Sequence, residues 1–170
     1  NGRGTGLRRV VDPSDQNTLY FASQKGGLLR STDLGLTWEC LPVNDEKLMT
    51  LVWVSADGDT IVVGTAGITH RHHNTRGHSL YVSYDRGSSF SPLPMPEAEE
   101  IPGSKLSGLV AQRYNYDGTY LYVTLSVTGS HSYVVENGYS CDSGDALGGR
   151  VLRYSFDDDN KITGYTDITP

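Results

Sequence analysis

The chain has 170 residues, of which 36% are apolar, with 20 glycines, 11 tyrosines and a formal net charge of −6. This composition allows one ordinary hydrophobic core, and its basic residues form no stripe, which argues against nucleic acid as a partner. No stretch approaches the roughly 18 apolar residues that a membrane-spanning helix needs.

The chain opens with a glycine-rich stretch that lacks the apolar segment of a signal peptide. Because the composition agrees with an extracellular β-protein, we expect a mature or internal segment of a secreted protein. The two cysteines, Cys40 and Cys141, have no metal-binding or redox spacing. Their places in the repeat described below are too distant for a bridge, so we expect no disulfide. No cofactor or metal is expected.

The first unit consists of short apolar runs separated by turn residues such as Asp12-Pro13-Ser14-Asp15. Almost nothing in it follows a helical period. We predict four strands joined by tight turns, at residues 7–11, 18–23, 28–31 and 37–41.

The last turn of this unit carries a motif that occurs twice in the chain. Residues 31–38 read Ser-Thr-Asp-Leu-Gly-Leu-Thr-Trp, the pattern called an Asp box, and residues 83–90 read Ser-Tyr-Asp-Arg-Gly-Ser-Ser-Phe. We expect Asp33 and Asp85 to accept hydrogen bonds from their own turns, and the glycine to supply an unusual backbone angle. The aromatic residue should then pack inward. The motif therefore predicts an architectural aspartate and not a catalytic one.

Two further units repeat the plan. The second predicts strands at 49–55, 60–64, 80–83 and 89–93, and the third at 106–114, 120–127, 151–155 and 162–168. Ser155 and Asp157 hold the serine and aspartate positions of the motif in the third unit, but its glycine and aromatic residue are missing.

Four-stranded meanders that recur at about 50 to 70 residues are typical of β-propeller blades. We predict an all-β propeller segment with blades at 1–42, 43–94 and 95–170. Propellers have about four to eight blades, so three leave an open wedge with exposed apolar sheet faces. We expect further blades of the same protein, or another chain, to cover these faces.

The residues also resemble those of a known family. The resemblance spans essentially the whole chain and includes both Asp boxes and the following segments in order: Arg3-Gly4-Thr5-Gly6, Val11-Asp12-Pro13, Leu19-Tyr20-Phe21, Val52-Trp53-Val54 and Thr166-Asp167-Ile168-Thr169-Pro170. They run in the order found in glycoside hydrolase family 74, the xyloglucanases and related enzymes.

The resemblance implies two seven-bladed propellers that face each other across a cleft for xyloglucan. It implies hydrolysis of the β-1,4-glucan backbone with inversion, by one aspartate as general acid and another as general base. By the family pattern both catalytic aspartates lie outside these 170 residues. This segment should therefore be inactive alone and supply scaffold and part of the cleft. The expected partner is xyloglucan or a related plant polysaccharide.

Two long loops, 69–78 and 128–149, should project from one face of the propeller, where a ligand cleft would lie. Tyr133 and Tyr139 offer flat rings for stacking on sugars, with Asn137 beside them for polar contacts. The alternative is that these rings fix the loop to its own blade. Asp142 and Asp145 resemble a catalytic pair only weakly, because they lie close together in a Gly/Ser-rich loop.

The first of these loops is rich in histidine: His70, His72, His73 and His78. A metal site is one reading, but Arg71 and Arg76 would repel a cation. A sugar-contacting loop and a merely solvated loop stay open. We expect substrate contacts from His72 and His73, and from Arg3. Trp38 and Trp53 fall inside strand patterns and are expected in the core.

Two other functions are compatible with Asp boxes. A sialidase-type propeller would need a cluster of arginines to pair with a carboxylate, and Arg30 lies in a strand, so no triad suggests itself. A non-catalytic binding propeller would use the motif only for architecture and bind partners on its loops.

Overall fold

The fold consists of β-strands alone throughout the part of the chain that the computed structural model describes. This part comprises residues 8–23, 26–43, 49–65, 78–96, 109–127 and 150–170. Its strands are β1 (Arg9–Asp12), β2 (Asp15–Ser23), β3 (Gly27–Ser31), β4 (Glu39–Leu41), β5 (Met49–Val54), β6 (Ile61–Thr65), β7 (Leu80–Ser83), β8 (Ser91–Pro92), β9 (Leu109–Tyr116), β10 (Leu121–Val127), β11 (Arg150–Phe156) and β12 (Ile162–Asp167). No helix long and apolar enough to cross a membrane occurs in these ranges.

The strands form three four-stranded antiparallel sheets, each made of consecutive strands in chain order. Sheet 1 contains β1 to β4, sheet 2 contains β5 to β8, and sheet 3 contains β9 to β12. No strand pairs with a strand of another sheet in the described ranges. The all-β fold class of blade-like meanders that the sequence predicts is confirmed.

The burial pattern shows how the sheets stack. In β2 the side chains of Thr18, Tyr20 and Ala22 are buried, while Phe21 between them is exposed. In β5 and β6, by contrast, nearly every residue is buried, on both faces of the strand. Alternation indicates a sheet with one covered face, and a continuous apolar run indicates a sheet covered on both faces. Sheet 2 therefore lies between sheets 1 and 3.

Two apolar layers fill the spaces between the sheets. Tyr20, Ala22 and Leu28 of sheet 1 pack against residues of sheet 2 that include Val52 and Val63. The second layer lies between sheets 2 and 3 and includes Leu51, Trp53, Val62, Leu121, Val123 and Leu152. A buried hydroxyl joins the same two sheets, because Tyr154 donates to the carbonyl oxygen of Pro94 at 2.9 Å. Burial raises the pKa of Tyr154, which keeps this phenol protonated.

Most predicted strands agree with the observed ones to within a few residues, and 80–83 agrees at both ends. The strands after the two aspartate turns begin later than predicted, at Glu39 and Ser91. The reason is that the backbone N–H groups of Thr37 and Ser89 still donate into those turns. The first three residues of the predicted strand 106–114 lie outside the described residues, and the unit boundaries 1–42, 43–94 and 95–170 stay predictions.

The prediction that both tryptophans lie in the core is correct for one of them. Trp53 is 6% exposed and packs in the layer between sheets 2 and 3. Trp38 is 45% exposed, so its predicted burial is wrong. It precedes β4, and its indole N–H donates to the carbonyl oxygen of Gly35 at 3.1 Å. The ring is thereby held over its own turn and not between two sheets.

Candidate functional site

The first aspartate turn, residues 31–38, is closed by the carboxylate of Asp33. Its Oδ1 accepts hydrogen bonds from the backbone N–H of Thr37 at 2.8 Å and from the Ser31 hydroxyl at 2.7 Å. Its Oδ2 accepts from the Thr37 hydroxyl at 2.6 Å. The Ser31 hydroxyl in turn accepts from the N–H of Gly35. Both oxygens of the carboxylate are therefore used inside the turn.

The second aspartate turn, residues 83–90, repeats this geometry. Asp85 accepts from the backbone N–H of Ser89 at 2.9 Å, from the Ser89 hydroxyl and from the Ser83 hydroxyl. The residue before the glycine has a positive φ in both turns, 59° at Leu34 and 58° at Arg86. The sequence motif predicted the aspartate contacts and a special glycine, but it gave no signal for a left-handed residue before that glycine.

These hydrogen bonds set the ionisation of both aspartates. Donation from the side chain and backbone of Thr37 lowers the pKa of Asp33 to about 2, and donation from Ser89 and Ser83 lowers the pKa of Asp85 to about 2. A general acid must carry a proton near neutral pH. Carboxylates with these pKa values do not, so neither aspartate is suited to act as the general acid. Their structural role follows from the hydrogen bonds that they accept within their own turns.

The turn of sheet 3 keeps part of this design without the motif's glycine. Asp157 Oδ1 accepts from the backbone N–H of Lys161 at 2.8 Å, across the same number of residues as in the other two turns. Here Asn160 takes the positive φ, at 57°.

Contacts between these turns join the three sheets at one end. Arg30 of sheet 1 donates to the carbonyl oxygen of Arg86 in sheet 2, and the Arg86 guanidinium forms an ion pair with Asp59 at 2.7 Å. The side-chain amide of Asn160 in sheet 3 donates to the carboxylate of Asp57 in sheet 2. We call this end the turn end. It is formed by the turns between the first and second strands and between the third and fourth strands of each sheet. The contacts of Arg30 and Asn160 at this end join neighbouring sheets.

The opposite end, the loop end, carries the connections between the second and third strands of each sheet. The loop 66–77 of sheet 2 has ordered stems, since the Thr65 N–H donates to the carbonyl oxygen of Ser79 at 2.8 Å. His78 lies beside this stem, with Nε2 at 2.6 Å from the carbonyl oxygen of Leu93 and its ring edge-on to Tyr81. In sheet 3, Arg150 and Asp167 form an ion pair at the start of β11, directly after residues 128–149.

The substrate residues predicted from the sequence all lie outside the described residues: Arg3, His72, His73, Tyr133, Asn137 and Tyr139. The same holds for His70, Arg71, Arg76, Cys141, Asp142 and Asp145. His78 is the one member of the histidine group that is described, and its ring nitrogen is committed to Leu93. Cys40 is a free, exposed thiol whose Sγ lies 3.3 Å from the carbonyl oxygen of Gly26. No group of metal-ligating side chains occurs among the described residues.

An apolar groove of about 820 Å³ lies on the outer face of sheet 1. It is lined by residues of β1, β2 and β3 and by the indole ring that follows them: Arg9, Val10, Val11, Leu19, Tyr20, Phe21, Leu29 and Trp38. Several of these large apolar side chains are exposed, Val11 at 50%. On the inner face of this sheet, the alternate residues pack against sheet 2. The outer face is also apolar, as expected for a sheet face that a further sheet would cover in the predicted open wedge.

Comparisons of sequence connect the chain to xyloglucanases. It is 33% identical over 117 residues to a xyloglucanase of a Paenibacillus species, in an alignment of 59% of this chain and 11% of that protein. It is 31% identical over 121 residues to a xyloglucanase of Hypocrea jecorina, covering 59% of this chain and 14% of that protein. A xyloglucanase of Acetivibrio thermocellus is 32% identical over 117 residues. No family model matches the chain.

Comparisons of structure give the fold. The GH74 enzyme of Niastella koreensis superposes with a TM-score of 0.63 at 22% identity, over 97% of this chain and 21% of that one. The GH74 xyloglucanase of Xanthomonas campestris superposes with a TM-score of 0.60 at 20% identity, over 97% of this chain and 22% of that one. The resemblance to glycoside hydrolase family 74 that the sequence motifs indicate is confirmed, and the chain spans only a small part of the length of these relatives.

Proposed function

We propose that this chain is a segment of a family 74 glycoside hydrolase that cleaves the β-1,4-glucan backbone of xyloglucan with inversion. The observation that carries the proposal is the similarity to the xyloglucanases, 33% identity over 117 residues in the Paenibacillus protein. The shared fold with GH74 enzymes over 97% of the chain supports it. No observation favours a sialidase or a purely binding propeller.

In this proposal the segment is part of a larger propeller. The chain aligns with 11% of the Paenibacillus relative and 14% of the Hypocrea relative. The exposed groove on the outer face of sheet 1 supports the same view, because an apolar face of this kind gains stability when another sheet covers it. Further blades of the same polypeptide are the proposed cover, and the two aspartate turns serve as the Asp boxes of sheets 1 and 2.

The catalytic carboxylates belong to other parts of the parent protein in this proposal. Inversion needs two carboxyl groups about 6.5–9.5 Å apart, with room for a water between them and one of them protonated. Asp33 and Asp85 are ionised and hydrogen-bonded within their turns. Neither of them therefore supplies the protonated carboxyl group, which supports a scaffold role for this segment.

Substrate contact is assigned to the loop end. Some polar groups of the turn end are already paired between the sheets, for example Arg30 with the carbonyl oxygen of Arg86. The loops 66–77 and 128–149 carry the residue types that bind carbohydrate, in particular Tyr133 and Tyr139, with Asn137, His72 and His73 as polar contacts. Arg3 is proposed to contribute from the N-terminal stretch. We propose that the parent protein is secreted, because its proposed substrate is a plant polysaccharide.

The test is polysaccharide binding by loop variants of the parent protein. Tyr133→Ala and Tyr139→Ala should weaken binding to xyloglucan in affinity electrophoresis, whereas Leu36→Ala should not. Leu36 is the matched control, since it is 85% exposed on a turn at the opposite end. Equal binding by all three variants would contradict the assigned face, and stronger retention by sialylated glycans than by xyloglucan would contradict the substrate.

A further inference from the structure

Where sheets 2 and 3 meet at the turn end, both sheets contribute aromatic side chains. Tyr116, at the end of β9, has its ring centroid 5.2 Å from that of Trp53 in sheet 2 and 6.0 Å from that of Phe156 in sheet 3. Phe156 lies opposite Ile162, whose backbone N–H donates to the hydroxyl of Tyr84 at 3.3 Å. Tyr84 directly follows β7 of sheet 2. We call Tyr116, Phe156 and Tyr84 the aromatic patch.

Two rings of the aromatic patch are open to solvent, although a sheet stands on each side of them. Tyr116 is 39% exposed and Tyr84 is 37% exposed. Both sheets that border the patch belong to this chain, and every turn at this end lies within the described residues. The exposure of these rings therefore does not arise from a missing neighbouring sheet. Grouped exposed aromatic side chains are typical of binding surfaces.

The hydroxyl groups hold both exposed rings in place. The Tyr116 hydroxyl donates to the carbonyl oxygen of Gly118 at 3.1 Å, and the Tyr84 hydroxyl accepts from the backbone of Ile162. A ring that is already fixed loses little conformational freedom when a ligand binds. Because the hydroxyl ends are used in this way, the ring faces are what the aromatic patch offers to a ligand.

A shallow pocket of about 180 Å³ borders the aromatic patch at Tyr84. It is lined by Val82, Tyr84, Asp85, Ser89, Phe90 and Ser91. Aromatic rings therefore stand beside hydroxyl and carboxylate groups. A sugar ring has an apolar face of C–H groups and a rim of hydroxyls, and this combination of side chains answers both.

The corresponding place between sheets 1 and 2 is built differently. There Arg30 donates to the carbonyl oxygen of Arg86, and the Arg86 guanidinium forms an ion pair with Asp59. Charged side chains thus join those two sheets at the turn end. The aromatic patch is therefore particular to sheets 2 and 3 and not a general requirement for stacking sheets of this chain.

We propose that the aromatic patch is a second carbohydrate site, which binds a β-linked glucan chain by stacking on Tyr116 and Tyr84. The inference rests on the proposed function for the class of polymer, and the site lies at the opposite end of the sheets from the loops assigned to the substrate. The aspartates that follow the two tyrosines, Asp117 and Asp85, accept hydrogen bonds within their own turns. A neutral polymer needs no ion pair with them, whereas a basic peptide would compete with these bonds.

Matched variants of the parent protein test the stacking. Tyr116→Leu removes the flat ring, while Tyr116→Phe keeps the ring and loses only the hydroxyl bond to Gly118. In affinity electrophoresis on xyloglucan, the leucine variant should bind about 2–10-fold more weakly than the phenylalanine variant, which corresponds to the loss of one aromatic contact. Tyr84→Leu and Tyr84→Phe form a second pair with the same expected difference. The urea midpoint of each variant shows whether its sheets remain folded.

A footprint of the unaltered parent protein reads the site without any variant. Xyloglucan should lower the hydroxyl-radical labelling of Tyr116 and Tyr84, but not that of Leu36 on the first aspartate turn. Equal binding by the leucine and phenylalanine variants would overturn the proposal, and so would unchanged labelling of the two tyrosines. Protection of these tyrosines by polylysine and not by xyloglucan would overturn it in favour of a basic protein partner.

The footprint also separates this proposal from the proposed function, because it reads binding and not hydrolysis. A parent protein that shows the protection but does not cleave xyloglucan would contradict the proposed activity alone. A parent protein that cleaves xyloglucan without the protection would contradict the second site alone.

Discussion

Arg30 in sheet 1 donates a hydrogen bond from Nη1 to the backbone carbonyl oxygen of Arg86 in sheet 2, at 2.8 Å. The two residues are 56 positions apart in the sequence. Arg86 occupies the left-handed position of the second aspartate turn, with φ of 58°. The unusual backbone of that turn therefore faces the arginine of the preceding sheet and links the two units.

Removal of this link should destabilise the stack. Arg30→Met loses the bond to Arg86 and the ion pair with Glu39, and the expected cost is about 1–3 kcal/mol of unfolding free energy, since a hydrogen bond from a charged group contributes more than a neutral one. Glu39→Gln is the control, because it removes only an ion pair whose carboxylate side chain is 57% exposed. That variant should cost at most about 1 kcal/mol. Urea unfolding measures both, and equal costs would show that Arg86 contributes nothing.

The two aspartate turns should make stability depend on acid pH. The folded state lowers the pKa of Asp33 and Asp85 from 3.8 to about 2, so both carboxylates stabilise the fold above the unfolded pKa. This contribution is lost as the pH falls from about 4 to about 2. Asp85→Asn should reduce the drop in the urea midpoint over this range. An unchanged pH profile in the variant would contradict the assignment.

The glycine of the second aspartate turn should be intolerant of a side chain for two reasons. Gly87 has φ of 87°, and a Cβ there would lie 2.7 Å from Leu41 Cδ1 in sheet 1. Gly87→Ala should cost about 2–5 kcal/mol, from left-handed strain and overpacking together. Gly118→Ala is the matched control, with φ of 96° but no atom within 4 Å of the added Cβ.

The control should cost only the strain, about 1–2 kcal/mol. Thermal or urea unfolding of the two variants gives the difference. If Gly118→Ala cost as much as Gly87→Ala, the close contact of residue 87 with Leu41 would make no difference to the free energy of unfolding.

The sequence predicts what is local and periodic in this chain. Alternation in β2 and β10 and the bonds of Asp33 within its turn follow from short-range patterns, and they are observed. The contact of Arg30 with Arg86 joins residues far apart in sequence, so no local pattern encodes it. The exposure of Trp38 was missed because a strand pattern does not reveal that Thr37 still belongs to the turn.

The candidate site was less predictable for a similar reason. Residues such as Tyr133 and His72 stand in long connections without periodicity, where composition indicates chemistry but not position. Their roles stay predictions.

Trp38 should report whether the outer face of sheet 1 becomes covered. In the chain alone its ring is 45% exposed beside the apolar groove. In the parent protein we expect its fluorescence to shift to shorter wavelength and its quenching by acrylamide to fall. The contribution of Trp38 is the part of the emission that Trp38→Phe removes in each protein. Equal quenching of Trp38 in both would mean that nothing covers this face.

Release of reducing ends from xyloglucan, by the chain alone and by the intact parent polypeptide, tests the central claim most directly. The parent should hydrolyse the polymer and yield products of inverted anomeric configuration, while the 170-residue chain should yield none. Hydrolysis by the chain alone, or an inactive parent, would contradict the account of an incomplete stack of blades within a xyloglucan hydrolase.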